Sequence, residues 1–382
     1  MKNLWDDAKA SKCKTDLDMR VYTSNLLGQS DELVLHGGGN TSVKSMVNGE
    51  EILYVKGSGW DLVSIKAEGF APVKMVTLLE MAKLESLSDT DMVSGQKAAM
   101  IDPSAPNPSV EAILHALIPF KVVDHTHADA VVTISNSVNG KAHIEKLYPN
   151  FLIVPYVMPG FVLAQKIYEM TKEGFDWDVC EGIILHNHGI FTFDDDAKKS
   201  YDKMIEAVTR AEDFLKENAE VVLDDIKPKD FELDGLQIDK FMYVNQTPLA
   251  LHYASQDDLR AKVTRGVLTP EHIIRTKRVP LVVEDWDVED ALKHFKVAYE
   301  TYFNAYKTDE IMLDPNPKYA VIKKFGVVTF GKTQKEADVI NDVVEHTMMA
   351  VLRADKLGGY KSISIADSFA MEYWELEQAK LK

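Results

Sequence analysis

Residues 121–127, KVVDHTH, form an apolar, β-branched stretch that ends in two histidines. Such a stretch predicts a buried β-strand. Side chains two apart on a strand point to the same face, so His125 and His127 are expected to reach one metal ion. A lone His-x-His pair is weak evidence, because many strands carry two histidines without a metal. The pair therefore predicts a metal site only if a third ligand comes from elsewhere in the chain.

A second histidine motif stands at residues 182–193, GIILHNHGIFTF. Its apolar pattern predicts two strands that are broken at Gly189, a residue that permits a sharp turn and a close approach of the backbone. His186 and His188 share one face if the strand is regular. The residues alone therefore leave the third ligand open between these two histidines.

Glu111 is the carboxylate that best complements the histidines. Residues 109–118, after Asn107-Pro108, predict a short helix with Glu111 in its first turn, where the helix dipole favours a negative charge. Ordinary helix capping is the simpler role for this glutamate. His115 lies one turn later and is expected either to orient Glu111 or to be a packed core histidine. Three imidazoles with a nearby carboxylate indicate a catalytic metal site with a displaceable fourth position.

Two glycine-rich loops, residues 37–42 (GGGNTS) and 56–59 (KGSG), are each predicted to follow a strand. The first is not a dinucleotide fingerprint, because Ser42 occupies the place of its third glycine. Loops rich in backbone amides and hydroxyl groups suit a phosphate, and Ser109 at a helix start is a third donor. The loops therefore predict a phosphorylated ligand beside the metal.

The remaining pattern predicts a mixed α/β chain. Helices are expected over residues 15–29, 72–86 and 197–218, and strands over 32–43 and 50–59. An acidic, turn-rich interval at 219–250 is the best boundary, so we expect two domains, residues 1–225 and 226–382.

A weak internal repeat links the two halves. Shifted by 137 positions, residues 182–199 lie over residues 319–336 without a gap, and a long helix pattern follows both. His186 and His188 then correspond to Lys323 and Phe325. The second half is therefore expected to be an α/β region, and a degenerate repeat without metal ligands is one interpretation of it. Chance similarity of two strand-turn-strand units is the alternative.

Composition limits the partners of the chain. The net charge of −17 argues against a nucleic-acid partner, although a small phosphorylated ligand can still bind in a local anion pocket. No apolar run of membrane-spanning length and no secretory signal are present, so no membrane partner is expected. Cys13 and Cys180 are the only cysteines, which fits a reducing, cytoplasmic location.

The succession GGGNTSV, VKGSG, PSVE, HTH and NHG resembles the class II aldolase/adducin family. The resemblance implies a three-layer αβα sandwich with a mainly antiparallel central sheet. It favours His188 over His186 as the ligand that joins His125 and His127, with Zn²⁺ as the expected divalent ion. It implies that Glu111 is both a metal ligand and the catalytic acid/base. It implies phosphate contacts at Asn40, Ser58, Gly59 and Ser109.

The resemblance extends to the second half through LTPEHIIRTKRVPL and DSFAMEYWELEQAKL, residues 268–281 and 367–381. These stretches look like the aldolase half of bacterial bifunctional rhamnulose-1-phosphate aldolase/short-chain dehydrogenase proteins. No nucleotide-binding glycine pattern is present, so we expect a stand-alone aldolase without NAD chemistry. The family resemblance implies in addition that the chain forms a homo-oligomer. Residues 275–278, RTKR, are expected to cap a solvated helix or to add positive charge to the anion pocket. Val110 replaces a second serine of the small aldolases, and this removes one phosphate donor.

The expected activity is reversible cleavage of a ketose 1-phosphate, of the rhamnulose- or fuculose-1-phosphate type, to dihydroxyacetone phosphate and an aldehyde through a metal-stabilised enediolate. A sugar-phosphate 4-epimerase on the same scaffold is the first alternative. A non-catalytic, adducin-like binding protein is the second. A zinc hydrolase is disfavoured because no His-Glu-x-x-His occurs.

Overall fold

The computed structural model describes residues 1–285 and 287–381. The chain forms two compact units: unit 1 comprises Met1–Val131 and Lys141–Asp213, and unit 2 comprises Val132–Gly140 and Phe214–Lys382. The division of the chain at residue 225 stays a prediction. The assignment of Val132–Gly140 to unit 2 is a feature that no sequence pattern indicated.

The helices and strands alternate along most of the chain. The strands are β1 (Asn40–Val47), β2 (Glu50–Lys56), β3 (Phe70–Lys74), β4 (Val122–Thr126), β5 (Phe151–Val154), β6 (Gly182–Leu185), β7 (Gly189–Asp194), β8 (Phe241–Asn245), β9 (Leu281–Val283), β10 (Tyr319–Ile322) and β11 (Gly326–Gly331). The α-helices are α1 (Asp7–Ala10), α2 (Asp16–Leu27), α3 (Met75–Met81), α4 (Asp89–Ala98), α5 (Ala112–Leu117), α6 (Asp129–Ser135), α7 (Gly140–Leu147), α8 (Phe161–Thr171), α9 (Ala197–Asn218), α10 (Pro248–Ala254), α11 (Leu259–Val263), α12 (Ile273–Thr276), α13 (Val288–Tyr306), α14 (Gln334–Lys356), α15 (Ile365–Glu372) and α16 (Glu375–Gln378). None of the helices in the described ranges combines the length and the apolar character needed to cross a bilayer.

Unit 1 is built on a seven-stranded sheet in the order β3-β2-β1-β4-β7-β6-β5. Every neighbouring pair is antiparallel except β5 and β6, which are parallel. The prediction of an α/β fold with a mainly antiparallel central sheet is therefore confirmed. In the register of β1 and β4, Asn40 lies opposite His125. The sheet thus brings the end of the glycine-rich loop next to the first histidine motif.

The glycine-rich loop precedes a strand instead of following one. Residues 32–39 form turns, and β1 begins at Asn40, so the predicted strand over 32–43 is wrong in its first part. The loop needs glycine because the backbone of Gly39 has a φ of +63° and approaches His125. A Cβ at this position would lie 2.7 Å from the His125 carbonyl oxygen, which is closer than van der Waals contact allows.

The predicted helix over residues 72–86 is also wrong at its start. Residues Phe70–Lys74 form β3, and the helix α3 covers only Met75–Met81. Pro72 fits a strand here because β3 is at the edge of the sheet, where the missing N–H of proline is tolerated. Residues Pro72 and Tyr54 are paired across β3 and β2. The helix over residues 197–218, in contrast, is confirmed as α9.

Unit 2 contains a four-stranded sheet with the same topology as the last four strands of the first sheet. Its order is β8-β11-β10-β9, which corresponds to β4-β7-β6-β5 in unit 1, and the last pair is parallel in both sheets. The shift of 137 positions also holds for the register: Gly182 pairs with Thr192, and Tyr319 pairs with Thr329. The same shift relates the first residues of α9 and α14.

Local details repeat as well. Thr192 donates its hydroxyl to the Ser200 carbonyl at 3.0 Å, and Thr329 donates to the Ala337 carbonyl at 2.7 Å. The turns between the paired strands each contain one residue with positive φ, Asn187 at 61° and Lys324 at 63°. The degenerate repeat stays a proposal, and these matches support it against chance similarity, because they involve topology, register and turn geometry together.

The register identifies what stands in unit 2 at the positions of the three histidines. Val244 corresponds to His125, because Val244 pairs with Val328 as His125 pairs with Phe191. The equivalents of His127 and His188 are then Gln246 and Phe325. Gln246 donates its side-chain amide to the Phe325 carbonyl at 3.1 Å, and the Phe325 ring packs against Phe231. An aliphatic group, an amide and a phenyl ring thus replace the three imidazoles.

The basic stretch at residues 275–278 does not cap a solvated helix, because Lys277 is buried. Its ammonium lies 3.6 Å from Oε1 of the buried Glu372 and 3.6 Å from the centre of the Tyr299 ring. Burial lowers the pKa of Lys277 to about 8 and raises the pKa of Glu372. The pair therefore joins two stretches of unit 2, residues 268–281 and 367–381.

Candidate metal centre

The three predicted metal ligands lie together in unit 1. His125 belongs to β4, His127 follows the end of that strand, and His188 ends the turn between β6 and β7. Each offers one ring nitrogen, and these nitrogens lie within 4.8 Å of one another. A tetrahedral zinc with nitrogen ligands at 2.0–2.1 Å separates those nitrogens by about 3.4 Å. The triad is therefore close to the spacing of a metal site.

The turn geometry distinguishes His188 from His186. His188 donates its backbone N–H to the Leu185 carbonyl at 3.1 Å, and Asn187 between the two histidines has positive φ. The segment is therefore not a regular strand, and the two imidazoles do not share a strand face. The ring of His188 lies 5.2 Å from that of His125 and 4.9 Å from that of His127. The geometry thus groups His188 with the pair.

Gly189 allows this turn to lie against the first histidine motif. A Cβ at Gly189 would be 2.4 Å from the Thr126 carbonyl oxygen and 2.9 Å from a ring carbon of His125. Any larger residue would push β7 away from β4 at the point where the ligands meet. The glycine is therefore a condition for the site, as its position directly after His188 suggested.

The backbone orients the ring of His125. Its Nδ1 lies 3.0 Å from the Ile190 carbonyl oxygen, to which it can only donate, and the ring stacks on Phe191. A neutral imidazole with its proton on Nδ1 presents an unprotonated Nε2. This Nε2 is 3.1 Å from Nε2 of His127. The lone pair needed for a metal bond therefore points into the triad.

Glu111 completes the group. It lies at the N-terminus of α5, which begins at Ala112 and not at residue 109 as predicted, and its side chain is buried. Its Oε2 is 3.5 Å from Nε2 of His125, and its Oε1 is 4.0 Å from Nε2 of His188. Oε1 is buried and has no hydrogen-bond partner among the described residues. A divalent cation fits this donor set, because it would satisfy both this oxygen and the imidazole lone pairs.

A buried network holds Glu111 in place. Asn40 donates its amide N–H to Glu111 Oε2 at 2.6 Å and to Ser109 Oγ at 3.2 Å. His115 Nε2 donates to Asn40 Oδ1, and Ser42 donates its hydroxyl to His115 Nδ1 at 2.8 Å. Burial lowers the pKa of His115 well below its ordinary value, so the ring is neutral and has one donor and one acceptor. His115 is therefore packed in the core and also positions Glu111 through Asn40.

We expect His115→Phe to destabilise unit 1. The phenyl ring fills similar space but leaves Asn40 Oδ1 and the Ser42 hydroxyl buried without partners, at a cost of roughly 1–3 kcal/mol each. Urea unfolding followed by circular dichroism measures the loss. Ser42→Ala, which removes one of the two bonds, is the graded control and should lose less. A His115→Phe variant as stable as the native protein would contradict the network.

The second glycine-rich loop lies against the start of the Glu111 segment. Gly57 and Pro108 form an isolated β-bridge, and the Ser109 N–H donates to the Lys56 carbonyl at 3.1 Å. Ser58 and Gly59 are exposed at the tip of the loop. The structure therefore places Ser109 between this tip and Asn40, and Asn40 already donates to Glu111. A phosphate role for Asn40, Ser58, Gly59 and Ser109 stays a proposal.

An ion pair below the site was not anticipated. Arg20 of α2 lies 2.6 Å from Asp124 Oδ1, and both side chains are fully buried. Ser200 of α9 donates its hydroxyl to Asp124 Oδ2 at 2.6 Å. Asp124 directly precedes His125, so this pair ties two helices to the strand that carries the first ligand. An arginine more than a hundred positions away in sequence gave no signal of this contact.

Comparison with known proteins identifies the family. Residues 20–215 match the family described as "Class II Aldolase and Adducin N-terminal domain". The chain belongs to this family. Residues 232–381 match the domain described as "Aldolase class II, second domain". The family resemblance expected from the glycine and histidine motifs is therefore confirmed.

Relatives of this class II aldolase family member include proteins of known sequence and of known structure. The "Uncharacterized oxidoreductase YuxG" of Bacillus subtilis is 30% identical over 419 aligned residues, which cover all of this chain and 60% of the relative. The chain thus spans about 60% of the length of this curated relative. The N-terminal class II aldolase domain of a conserved protein from Thermoplasma acidophilum is 41% identical, with a TM-score of 0.51, over 56% of this chain and 99% of that chain. The L-fuculose-1-phosphate aldolase of Thermus thermophilus is 15% identical, with a TM-score of 0.35, over 52% of this chain and 95% of that chain.

Proposed function

We propose that the protein is a metal-dependent sugar-phosphate aldolase that cleaves a ketose 1-phosphate to dihydroxyacetone phosphate and an aldehyde. The observation that carries the proposal is the position of Glu111. One of its carboxylate oxygens is held by Asn40. The other is buried, has no hydrogen bond within the described part of the chain, and lies 4.0 Å from Nε2 of His188 in the histidine triad. A carboxylate that served only as a helix cap would bond to the backbone of α5, and Glu111 makes no such bond. Membership of the class II aldolase and adducin family supports the same chemistry.

Metal binding, proton transfer and positioning of the carboxylate are assigned to different side chains of the site. His125, His127 and His188, with Glu111, would hold a divalent ion, with Zn²⁺ as the expected metal, and this ion supplies a Lewis acid that draws electron density from the substrate carbonyl. Glu111 moves the proton. In the cleavage direction the C4 hydroxyl loses its proton to solvent, the C3–C4 bond breaks with its electron pair left on the dihydroxyacetone phosphate portion, and the protonated carboxyl of Glu111 gives a proton to C3. In the reverse direction the carboxylate takes that proton from C3. Asn40 holds Oε2, so Oε1 is the oxygen of Glu111 that would leave the metal and reach the substrate.

The phosphate is assigned to the paired loops beside Glu111. Ser58 and Gly59 at the exposed tip, with the hydroxyl of Ser109, offer donors that a phosphate requires. Asn40, which donates to Ser109 Oγ, would contact the phosphate by turning that N–H towards it. Lys56 directly before this tip is buried and donates its ammonium to the Gly37 carbonyl. Its charge lies between the two glycine-rich loops and compensates for the hydroxyl missing at Val110. Binding energy from the phosphate would hold the reacting carbon beside Glu111.

A combined metal and product assay tests the proposal. We expect the purified chain to contain about one divalent ion per triad and to release dihydroxyacetone phosphate from at least one ketose 1-phosphate. Protein stripped with a chelator is the control, and activity should return with the added metal. If a pentulose phosphate gives its epimer and no aldehyde is released, the activity is that of a 4-epimerase and not that of an aldolase. A full metal content with neither product would overturn catalysis and leave a binding role.

A further inference from the structure

The strand β8 leaves one edge of the unit 2 sheet open. Phe330 of β11 lies opposite Met242 but donates its backbone N–H to Lys318, on the β10 side. Hydrogen-bonded and non-bonded pairs alternate along an antiparallel ladder, so Met242 and Val244 turn their N–H and C=O groups away from β11. Within residues 1–285 and 287–381, no strand pairs with this outer edge.

The equivalent edge in unit 1 is occupied. There β4 takes the place of β8, and β1 pairs with it along Asn40–Val43 in antiparallel register. If the two sheets are repeats, the backbone N–H and C=O groups of β4 that bond to β1 correspond to the outward-pointing N–H and C=O groups of β8. The shape of this edge therefore fits a strand, and in particular an antiparallel one.

The side chains of β8 are those of a contact surface. Phe241 is 42% exposed, and Tyr243 and Val244 are each 37% exposed. The strand lacks the prolines, bulges and inward-pointing charges that usually protect an exposed edge, apart from Lys240 before its start. Residues 241–256 contain no acidic residue, although the chain as a whole has a net charge of −17. Two copies of such an acidic chain repel each other over most of their surface, and this segment is a place where they can meet without opposed carboxylates.

We propose that β8 is the contact through which two copies of this chain associate. The two strands pair antiparallel about a two-fold axis, so that two four-stranded sheets become one continuous sheet. A two-fold interface uses the same patch on both subunits, which is what a single open strand provides.

The backbone N–H and C=O groups of β8 point alternately outward and towards β11, and this alternation limits the register in which two copies can pair. Placing the axis at Tyr243 pairs Met242 with Val244 of the other copy, and these are the residues whose backbone groups point outward. Tyr243 then faces its own counterpart as a non-hydrogen-bonded pair, and Lys240 falls opposite Gln246. An axis at Met242 would instead place Lys240 opposite Val244, an apolar residue. The Tyr243 register also places Phe241 opposite Asn245. It is favoured over the Met242 register because it keeps Lys240 opposite a polar side chain and away from Val244.

Disulfide trapping in the full chain tests both the contact and the register. Cα atoms of a non-hydrogen-bonded pair lie about 4.5 Å apart, within the range that a disulfide spans. In a Cys13→Ser background, which leaves only the buried Cys180, we expect Tyr243→Cys to form a covalent dimer under mild oxidation. Phe241→Cys is the matched control: it lies on the same strand face and is similarly exposed, but the two copies of it would be about 13 Å apart. It should stay uncrosslinked on a non-reducing gel. Crosslinking of both variants, of neither, or of Phe241→Cys alone would overturn the register and the proposal.

Sedimentation at micromolar concentration provides an independent measurement. The native chain should have at least twice the mass of one chain. Val244→Pro should lower that mass, because proline removes an outward N–H without touching the bonds to β11. A native monomer, or a folded proline variant with unchanged mass, would overturn the proposal. If circular dichroism shows that the proline variant is unfolded, the crosslinking of Tyr243→Cys compared with Phe241→Cys still tests the proposal.

Discussion

Glu111→Gln is expected to slow proton exchange at C3 of dihydroxyacetone phosphate by at least about a hundredfold while the protein keeps its fold. Glutamine has nearly the same shape, and its amide oxygen can still accept the bond from Asn40. Its NH₂ group then occupies the place of Oε1, where a proton acceptor is required. General acid–base catalysis contributes about 10²–10⁴-fold, so exchange and cleavage should both fall by that factor. Loss of the proton signal in deuterated water, followed by NMR, measures the exchange directly.

Two comparisons separate this effect from simple damage. Glu181→Gln changes another carboxylate of unit 1, one that accepts a bond from the Asn150 amide and lies outside the histidine site, and it should leave exchange unchanged. Metal content of Glu111→Gln shows whether the histidine triad still binds. Exchange at the native rate in Glu111→Gln would remove Glu111 from catalysis. Loss of the metal together with exchange would reduce its role to that of a ligand.

Much of the architecture around the site follows from local sequence patterns. The apolar, β-branched run before His125 predicts a strand, and the helical spacing of apolar residues after β7 predicts a long helix. Both elements are observed as predicted. The glycine-rich loop was misplaced relative to its strand, because the requirement for Gly39 comes from contact with His125, a residue far away in sequence. The strand at Pro72, where a helix was expected, has the same kind of cause: only the sheet order shows that β3 is an edge strand that tolerates a proline.

Within the site, too, contacts between residues near in sequence could be predicted, and contacts between distant residues could not. The two histidines of the β4 motif are close in sequence, so their proximity could be predicted, although His127 lies just beyond the strand end and regular strand alternation does not fully describe it. The bond from Asn40 to Glu111 joins residues 71 positions apart, and nothing local indicates it. Sequence patterns thus predict which chemical groups are present, and tertiary packing decides which of them meet.

The choice between the two histidines at the β6–β7 turn shows this limit most clearly. As residues, His186 and His188 are equivalent: both are imidazoles next to Asn187, and a regular strand would direct both the same way. The left-handed conformation of Asn187 and the bond from His188 to Leu185 break that equivalence. Family resemblance had favoured His188, and the turn supplies the physical reason.

His188→Ala is therefore expected to strip the metal, whereas His186→Ala, two positions away in the same turn, is expected to retain it. Removing one of three imidazoles leaves two nitrogens and the Glu111 carboxylate. Loss of an outer-sphere partner alone costs 10–100-fold in metal affinity, so loss of a direct ligand should cost at least about 100-fold. Elemental analysis after dialysis against a weak chelator should then find less than about a tenth of the native metal content in His188→Ala.

The paired design makes the result independent of folding. Both substitutions remove the same ring from the same turn, and the backbone bond from residue 188 to Leu185 survives in each. A general disturbance of the turn would therefore lower the metal content of both variants equally. If His186→Ala loses the metal and His188→Ala keeps it, the triad is wrong, because the third nitrogen would come from the other side of Asn187. Selective loss in His188→Ala would tie the metal to the geometry that Gly189 and the Asn187 turn create.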